Sequence, residues 1–303
     1  MENTKINLET TVHTLCQKEL GEGVKDLRKI EAFGIVNVVY FVETNKRRYI
    51  FRLNTEDGLG QFLKESWCMD EAHKKGIPTT SVLKCSEIDN TAYMIQPYIE
   101  GVNGSELENK KIIWESLGKY ARLNHGIAVS GFGDRMSEKG VFDGSWQKYL
   151  QYNIDSLTED DKLLQMGAFD ITTSQKLREC FKRLSTIKLN FGLCHADFSD
   201  TNVIVDNDSK VWLIDWGSAE AHIVPHLDFS VVLKDHLTKD SELFKYFLTG
   251  YGMSLLDFEK LEPELNALTV LIATDKLRWA IDRKPKKIEE FSIYLKKIIA
   301  LVV

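Results

Sequence analysis

The chain has 303 residues, of which 43% are hydrophobic and 28% charged, the composition of a folded protein with a sizeable core rather than a disordered one. A net charge of -6 argues against general nucleic-acid binding, which needs a surplus of Lys and Arg, and suits an uncharged or cationic small partner. The longest apolar runs, such as IIALVV at 298–303, are too short for a membrane span, and MENTKINLET lacks a signal-peptide pattern, so a cytoplasmic protein without a membrane partner is expected.

Signals change near residue 100 from strand-rich to helix-rich, which predicts two lobes, 1–97 and 98–303. In the first, NVVYFVETNKRRYIFRLN carries two β-branched and aromatic runs around a polar turn at Thr44 to Lys46, a hairpin signal. A helix follows from about Gly60 to Lys75 and stops at Gly76, with Pro78 beyond. SVLKCSE and TAYMIQ then read as strands about the turn IDN, giving a small antiparallel sheet with one helix. Alternation in RRYIFRL turns Tyr49, Phe51 and Leu53 one way and Arg48, Ile50 and Arg52 the other. The helical stripe Phe62, Glu65, Met69, Ala72 carries Glu65 toward the sheet, where a buried carboxylate needs a cation; Arg52 is the predicted partner, against the alternative of a surface ion pair.

Beyond Gly101, KIIWESLGKYARLNHG sets Ile113, Leu117, Tyr120 and Ala121 on one helical face, and segments near 240–250, 264–282 and 287–301 are similarly periodic. The one clear strand signal in this helical part is CHADFSDTNVIVDNDSKVWLIDW at 194–216, where NVIV and KVWLID flank the turn former DNDS. A hairpin turning near Asn207 and Asp208 brings Asn202 beside Leu213 or Ile214 and puts Asp215 at the same end. Asp197 lies in the preceding loop, while Asp206 and Asp208 only make the turn. A carboxylate with an amide oxygen is a hard, sparse ligand set, suited to magnesium that keeps waters and bridges nucleotide phosphates. The cysteines (Cys16, Cys68, Cys85, Cys180, Cys194) lack zinc spacing and read as reduced, mostly buried thiols, and Pro225 breaks the helical spacing of His222 and His226.

HADFSDTN followed by IDW, with Asp215 thirteen positions after Asn202, resembles the catalytic loop and metal aspartate of the aminoglycoside phosphotransferase and choline kinase-like family. YIFRLN, GFG at 131–133, HADF..TNVIVDN and IDW..A resemble its hygromycin B phosphotransferase branch most closely. The resemblance spans roughly residues 28 to 282. It implies an α+β, protein kinase-like two-lobed fold: a nucleotide-binding lobe with an antiparallel sheet and one main helix, then a mostly helical catalytic and substrate-binding lobe. The implied activity is transfer of the γ-phosphoryl group of ATP or GTP, with Mg2+, to a hydroxyl of an aminoglycoside, conferring resistance.

By the same resemblance Asp197 orients the acceptor hydroxyl and takes its proton, His195 braces the loop, and Asn202 and Asp215 hold magnesium. Arg52 stands where protein kinases carry their phosphate-contacting lysine, and Glu65 where that lysine has its helix partner. Asp228 in HLDFS corresponds to an acid that tethers the catalytic loop, with a helix cap as the alternative. The strand ending in YMIQPYIEG resembles the lobe connector that receives adenine through the carbonyl of Pro97 and the amide of Ile99. The loop EAFGIVNVVY departs from protein kinases in carrying one glycine, Gly34, instead of three, and Asn37 is a candidate replacement contact.

Thirteen positions from Asp215 to Asp228 leave little room for a peptide-binding activation segment, so a small hydroxylated, cationic acceptor is expected. Asp200, Glu220 and Asp275 are candidate acids for it, with solvated surface as the alternative. Choline or another amino-alcohol, a macrolide, or nucleotide binding without turnover as a pseudokinase are the competing readings, and the molecule is expected to be a monomer.

Overall fold

The structure, a computed structural model, describes residues 7–30, 37–56 and 58–303. The chain forms two compact units; the first runs to Glu108 and also takes Thr201–Gly217, and the second comprises Asn109–Asp200 and Ser218–Val303. The hairpin read from the 194–216 stretch therefore packs with the N-terminal sheet unit. Gly34, in the glycine-poor loop, lies outside the described residues.

The first unit holds a five-stranded antiparallel sheet built from β1 (Val24–Ile30), β2 (Val38–Thr44), β3 (Arg48–Asn54), β4 (Lys84–Ile88) and β5 (Thr91–Pro97), in the order β1-β2-β3-β5-β4. The expected turn between β2 and β3 closes on Thr44, whose hydroxyl accepts the amides of Lys46 and Arg47, both at 3.1 Å. Asp89 and Asn90, both left-handed, make the tight turn between β4 and β5. Alternation sorts the faces as expected: Tyr49, Phe51 and Leu53 join Tyr40, Val42, Tyr93 and Ile95 in an apolar layer with Val12 and Leu15 of helix α1 (Leu8–Leu15). That short helix escaped the sequence reading; the Asn7 side chain caps it, accepting from Glu9 N and Thr10 N. Helix α2 (Leu59–Lys74) buries Phe62, Glu65, Met69 and Ala72 as the stripe requires.

In the hairpin, Val203 pairs with Leu213, Ile204 with Trp212 and Val205 with Val211, and Ile214 N donates to Asn202 O at 3.0 Å. Asn202 therefore lies opposite Ile214, one of the two expected positions. Asp206 serves the turn alone, accepting from the amides of Asp208 and Lys210 and from the Trp212 indole. Val102–Asn103 adds a third strand beside Val203–Val205.

The second unit is helical: α3 (Lys111–His125), α4 (Trp146–Asp155), α5 (Lys162–Gln165), α6 (Ile171–Leu184), α7 (His226–Asp235), α8 (Glu242–Tyr251), α9 (Leu255–Arg283) and α10 (Ile288–Ile299). α9 starts well before the expected 264, running through Pro263, because Ser254 caps its first turn at the Asp257 amide. Strands Asn190–Cys194 and Glu220–Val224, absent from the sequence reading, pair antiparallel. α3 and α8 touch backbone to backbone through Gly118 and Gly250: a Cβ at either would fall within 2 Å of a carbonyl oxygen on the other helix (1.9 Å from Phe247 O, 1.8 Å from Glu115 O). Among the described residues no helix is long and apolar enough to cross a membrane.

His222 is buried on the Glu220–Val224 strand against Phe132, ring centroids 4.6 Å apart, and burial pushes its pKa down to about 3 from 6.5. The folded state thus refuses a proton that the unfolded chain accepts, so this contribution to stability is complete above about pH 6.5 and is lost as pH falls toward 3. Between about pH 6.5 and 5 the loss is on the order of 2 kcal/mol. Urea unfolding of His222→Leu over this range should show a shallower decline with acidity than the parent chain.

Candidate active site

In the first unit the site is organised around a carboxylate with no access to water. Glu65 on α2 is fully buried, and the Arg52 guanidinium on β3 meets it through two hydrogen bonds, one of them Arg52 Nη2 to Glu65 Oε1 at 3.4 Å. Burial pushes the Glu65 carboxyl upward in pKa, and Arg52 and Lys64 oppose that shift. The Arg52 carbon also lies 5.4 Å from the ring centre of Phe62, and its Nη2 sits 3.8 Å from Asp215 Oδ1. The expected pair is thus a buried one, and it reaches toward the carboxylate that ends the hairpin.

Asp215 is half exposed, and its backbone is left-handed at φ 57°. Gly217 N donates to its Oδ1 at 3.4 Å, while Trp216 is buried with its indole N–H on Thr79 Oγ1 at 3.0 Å. The register sets Asn202 opposite Ile214, next to Asp215. An accessible carboxylate and a neighbouring amide side chain, with no soft donor in the set, fit a hard cation such as magnesium. Asn37 Oδ1 accepts from Asn54 Nδ2 at 3.0 Å at the start of β2. Pro97 closes β5 with its carbonyl accepting the Thr80 hydroxyl at 3.2 Å, and Ile99 follows outside any regular element.

In the second unit a second buried carboxylate does the organising. Asp228, at the start of α7, is fully buried; it accepts from Ala196 N at 2.7 Å and from His195 N at 3.3 Å. His125 Nε2 lies 2.7 Å from the same carboxylate, and its Nδ1 lies 3.1 Å from the Tyr251 hydroxyl. Of the two roles considered for Asp228, the contacts made are those of a loop tether. Ala196 has φ 60°, a conformation that costs a non-glycine residue energy and survives only when its surroundings impose it. The strained peptide immediately precedes Asp197, and His195 stacks on Phe198, ring centroids 4.8 Å apart.

The three candidate substrate acids separate. Asp200 already forms an ion pair with Lys110, so an incoming ammonium would have to displace a resident one. Glu220 and Asp275 instead both bear on Tyr149, whose pKa is raised well above the usual phenol value by burial and by the two acids. Burial raises the Asp275 carboxyl as well, against the opposing pull of Arg278, Tyr149 and Asn153. Asn153 is in turn fixed by Arg278, which pairs with Asp161 at 2.6 Å.

Sequence reading missed Lys64, His125 and Tyr251. Lys64 sits off the apolar stripe yet is buried, with Nζ 3.0 Å from Gly217 O. A lysine flanked by Phe62, Glu65 and Trp67 was the available sign that α2 is covered on more than one face. His125 and Tyr251 end two helices far apart in sequence and meet only through the glycine crossing of α3 and α8.

The sequence profile of the phosphotransferase enzyme family matches residues 29–263. The chain belongs to this family. Membership supports the expected phosphotransferase, and solved structures show the same fold. A ternary complex of a thermostable mutant of aminoglycoside phosphotransferase APH(4)-Ia with AMP-PNP and hygromycin B superposes with TM-score 0.68 at 19% identity, covering 96% of this chain and 98% of that one. An aminoglycoside phosphotransferase complexed with GDP and kanamycin gives 0.68 at 14%, covering 98% and 100%. A putative fructosamine-3-kinase from Haemophilus somnus gives 0.63 at 10%, covering 96% of each chain. The kinase-like α+β fold expected from the sequence is thereby met. No curated protein sequence matches the chain.

Removing one member of a buried ion pair strands the other, at a cost of about 3–5 kcal/mol, whereas replacing both by apolar side chains is close to neutral. Urea unfolding should therefore show Glu65→Leu well below the parent chain in stability, and the Arg52→Met/Glu65→Leu double variant well above the single one.

Proposed function

We propose that this phosphotransferase moves the γ-phosphoryl group of ATP or GTP to a hydroxyl of a cationic aminoglycoside related to hygromycin B, and so confers resistance in the cytoplasm. The observation that carries the reading is the left-handed Ala196 peptide, pinned by buried Asp228 directly before Asp197 in HADFSDTN. A fold that holds a strained peptide beside an aspartate is fixing that carboxylate in place.

In this reading Asp197 accepts the proton of the acceptor hydroxyl as it attacks the γ-phosphorus, and the bond to the leaving nucleoside diphosphate breaks. His195 braces the loop. Asn202 stands five positions after Asp197 in the same loop and, with Asp215, would hold magnesium; when bound, the ion neutralises the phosphate oxygens. Arg52, aimed by Glu65, supplies positive charge to the phosphates, and Asn37 is an additional contact. Pro97 O and Ile99 N receive adenine, with the lobes dividing at 97/98. Glu220 and Asp275 are favoured over Asp200 as the acids that meet substrate ammonium groups, since Asp200 is occupied by Lys110.

A second reading, another small hydroxylated amine, sugar-linked or an amino-alcohol, is favoured by the fold shared with the putative fructosamine-3-kinase.

A coupled nucleotide-consumption screen across aminoglycosides (hygromycin B first), sugar-linked amines, choline and macrolides, run with ATP and with GTP, decides between these acceptors. Asp197→Ala should abolish turnover while still binding nucleotide with magnesium; Asp215→Ala should lose the magnesium dependence of binding. Full turnover by Asp197→Ala would refute the mechanism, and no turnover by the parent chain with any acceptor would favour a nucleotide-binding pseudokinase.

A further inference from the structure

Helix α2 grips the turn Asp215-Trp216-Gly217 in a way the proposed chemistry does not use. Lys64 Nζ donates to Gly217 O at 3.0 Å, and Gln61, one turn earlier on the same helix, donates its side-chain amide to the same oxygen. At the other end of the turn Arg52 bridges Glu65 and Asp215, and in the middle the Trp216 indole is fixed on buried Thr79. The elements are tightly apposed: a Cβ on Gly217 would lie 3.3 Å from Asp215 Oδ1 and 3.5 Å from Glu65 Oε1.

A lysine with 2% exposure is a costly way to fill a helix face, since its ammonium loses water and a Met or Leu would pack there without that loss. The hydrogen bond it makes is to the carbonyl two residues past Asp215, a residue itself held in a left-handed conformation. We infer that Lys64, assisted by Gln61, is a positioning residue for Asp215: by clamping the Gly217 carbonyl it holds the aspartate in the orientation that accepts magnesium. The inference rests on the assignment of magnesium to Asp215 and names the residues that prepare that ligand.

The test uses the full chain and a fluorescent ATP analogue, titrated with and without magnesium, alongside thermal melting of the ligand-free protein. Partners behind a metal ligand typically contribute 10–100-fold to metal affinity, so in Lys64→Met the magnesium concentration for half-maximal binding should rise by about tenfold or more. Binding without magnesium should not change, and the melting temperature separates loss of the clamp from loss of the fold, since Lys64 also lies beside the buried Glu65 carboxylate. Gln61→Ala, at an exposed position, should shift the magnesium requirement in the same direction by a smaller factor, and Lys64→Arg should restore part of it.

Unchanged magnesium dependence in both Lys64→Met and Gln61→Ala would overturn the inference. An equal loss of nucleotide affinity with and without magnesium in Lys64→Met would overturn it too, pointing to a direct phosphate contact. If Lys64→Met melts early, Gln61→Ala decides alone. Asp215→Asn separates the two levels: if it keeps the parent magnesium dependence, the magnesium assignment itself falls and takes this inference with it.

Discussion

The Glu65 carboxylate meets Arg52 where water does not reach it, and an ionised carboxylate can persist there only against a cation. Much of the first unit follows from that constraint. β3 alternates so that three apolar side chains go to one layer and Arg52 to the other, and α2 presents Glu65 on a stripe that is otherwise apolar. The guanidinium, placed over Phe62 and 3.8 Å from Asp215, then joins strand, helix and hairpin. Arginine suits this better than lysine, because its planar fork can hold one carboxylate with two nitrogens while still facing a second.

The second unit solves an analogous problem with Asp228. Its buried carboxylate is satisfied by two amides of the loop ahead of Asp197 and by the His125 ring. The energy that a left-handed alanine costs is offset by the charge-assisted bond its amide makes. His125 owes its place to Tyr251, and Tyr251 owes its place to two glycines that let α3 and α8 touch. The geometry of the loop ahead of Asp197 is thus traced to residues on three helices.

What was legible in the sequence had a short-range physical signature. Period-two alternation gave the faces of β3, helical spacing gave the stripe of α2, and turn chemistry at Asp206 gave a hairpin register that sets Asn202 opposite Ile214. What escaped lacked such a signature. α1 is short and capped by one Asn, and the strands Asn190–Cys194 and Glu220–Val224 find each other across 25 intervening residues. Lys64 reads as a solvated charge until the structure buries it against Gly217, and nothing local in ARLNHG announces that His125 meets Asp228.

The function proposed for this member of the phosphotransferase enzyme family is delivery of phosphate to a small hydroxylated acceptor rather than to water. Phosphorus NMR of a reaction containing the full chain, ATP, magnesium and hygromycin B tests this most directly. Loss of the γ-phosphorus signal should be matched by one new phosphate monoester signal coupled to a carbon-bound proton of the acceptor. Conversion of the γ-phosphoryl group to inorganic phosphate alone, with the acceptor unmodified there and across the wider set of amino-alcohols and sugar-linked amines, would contradict it.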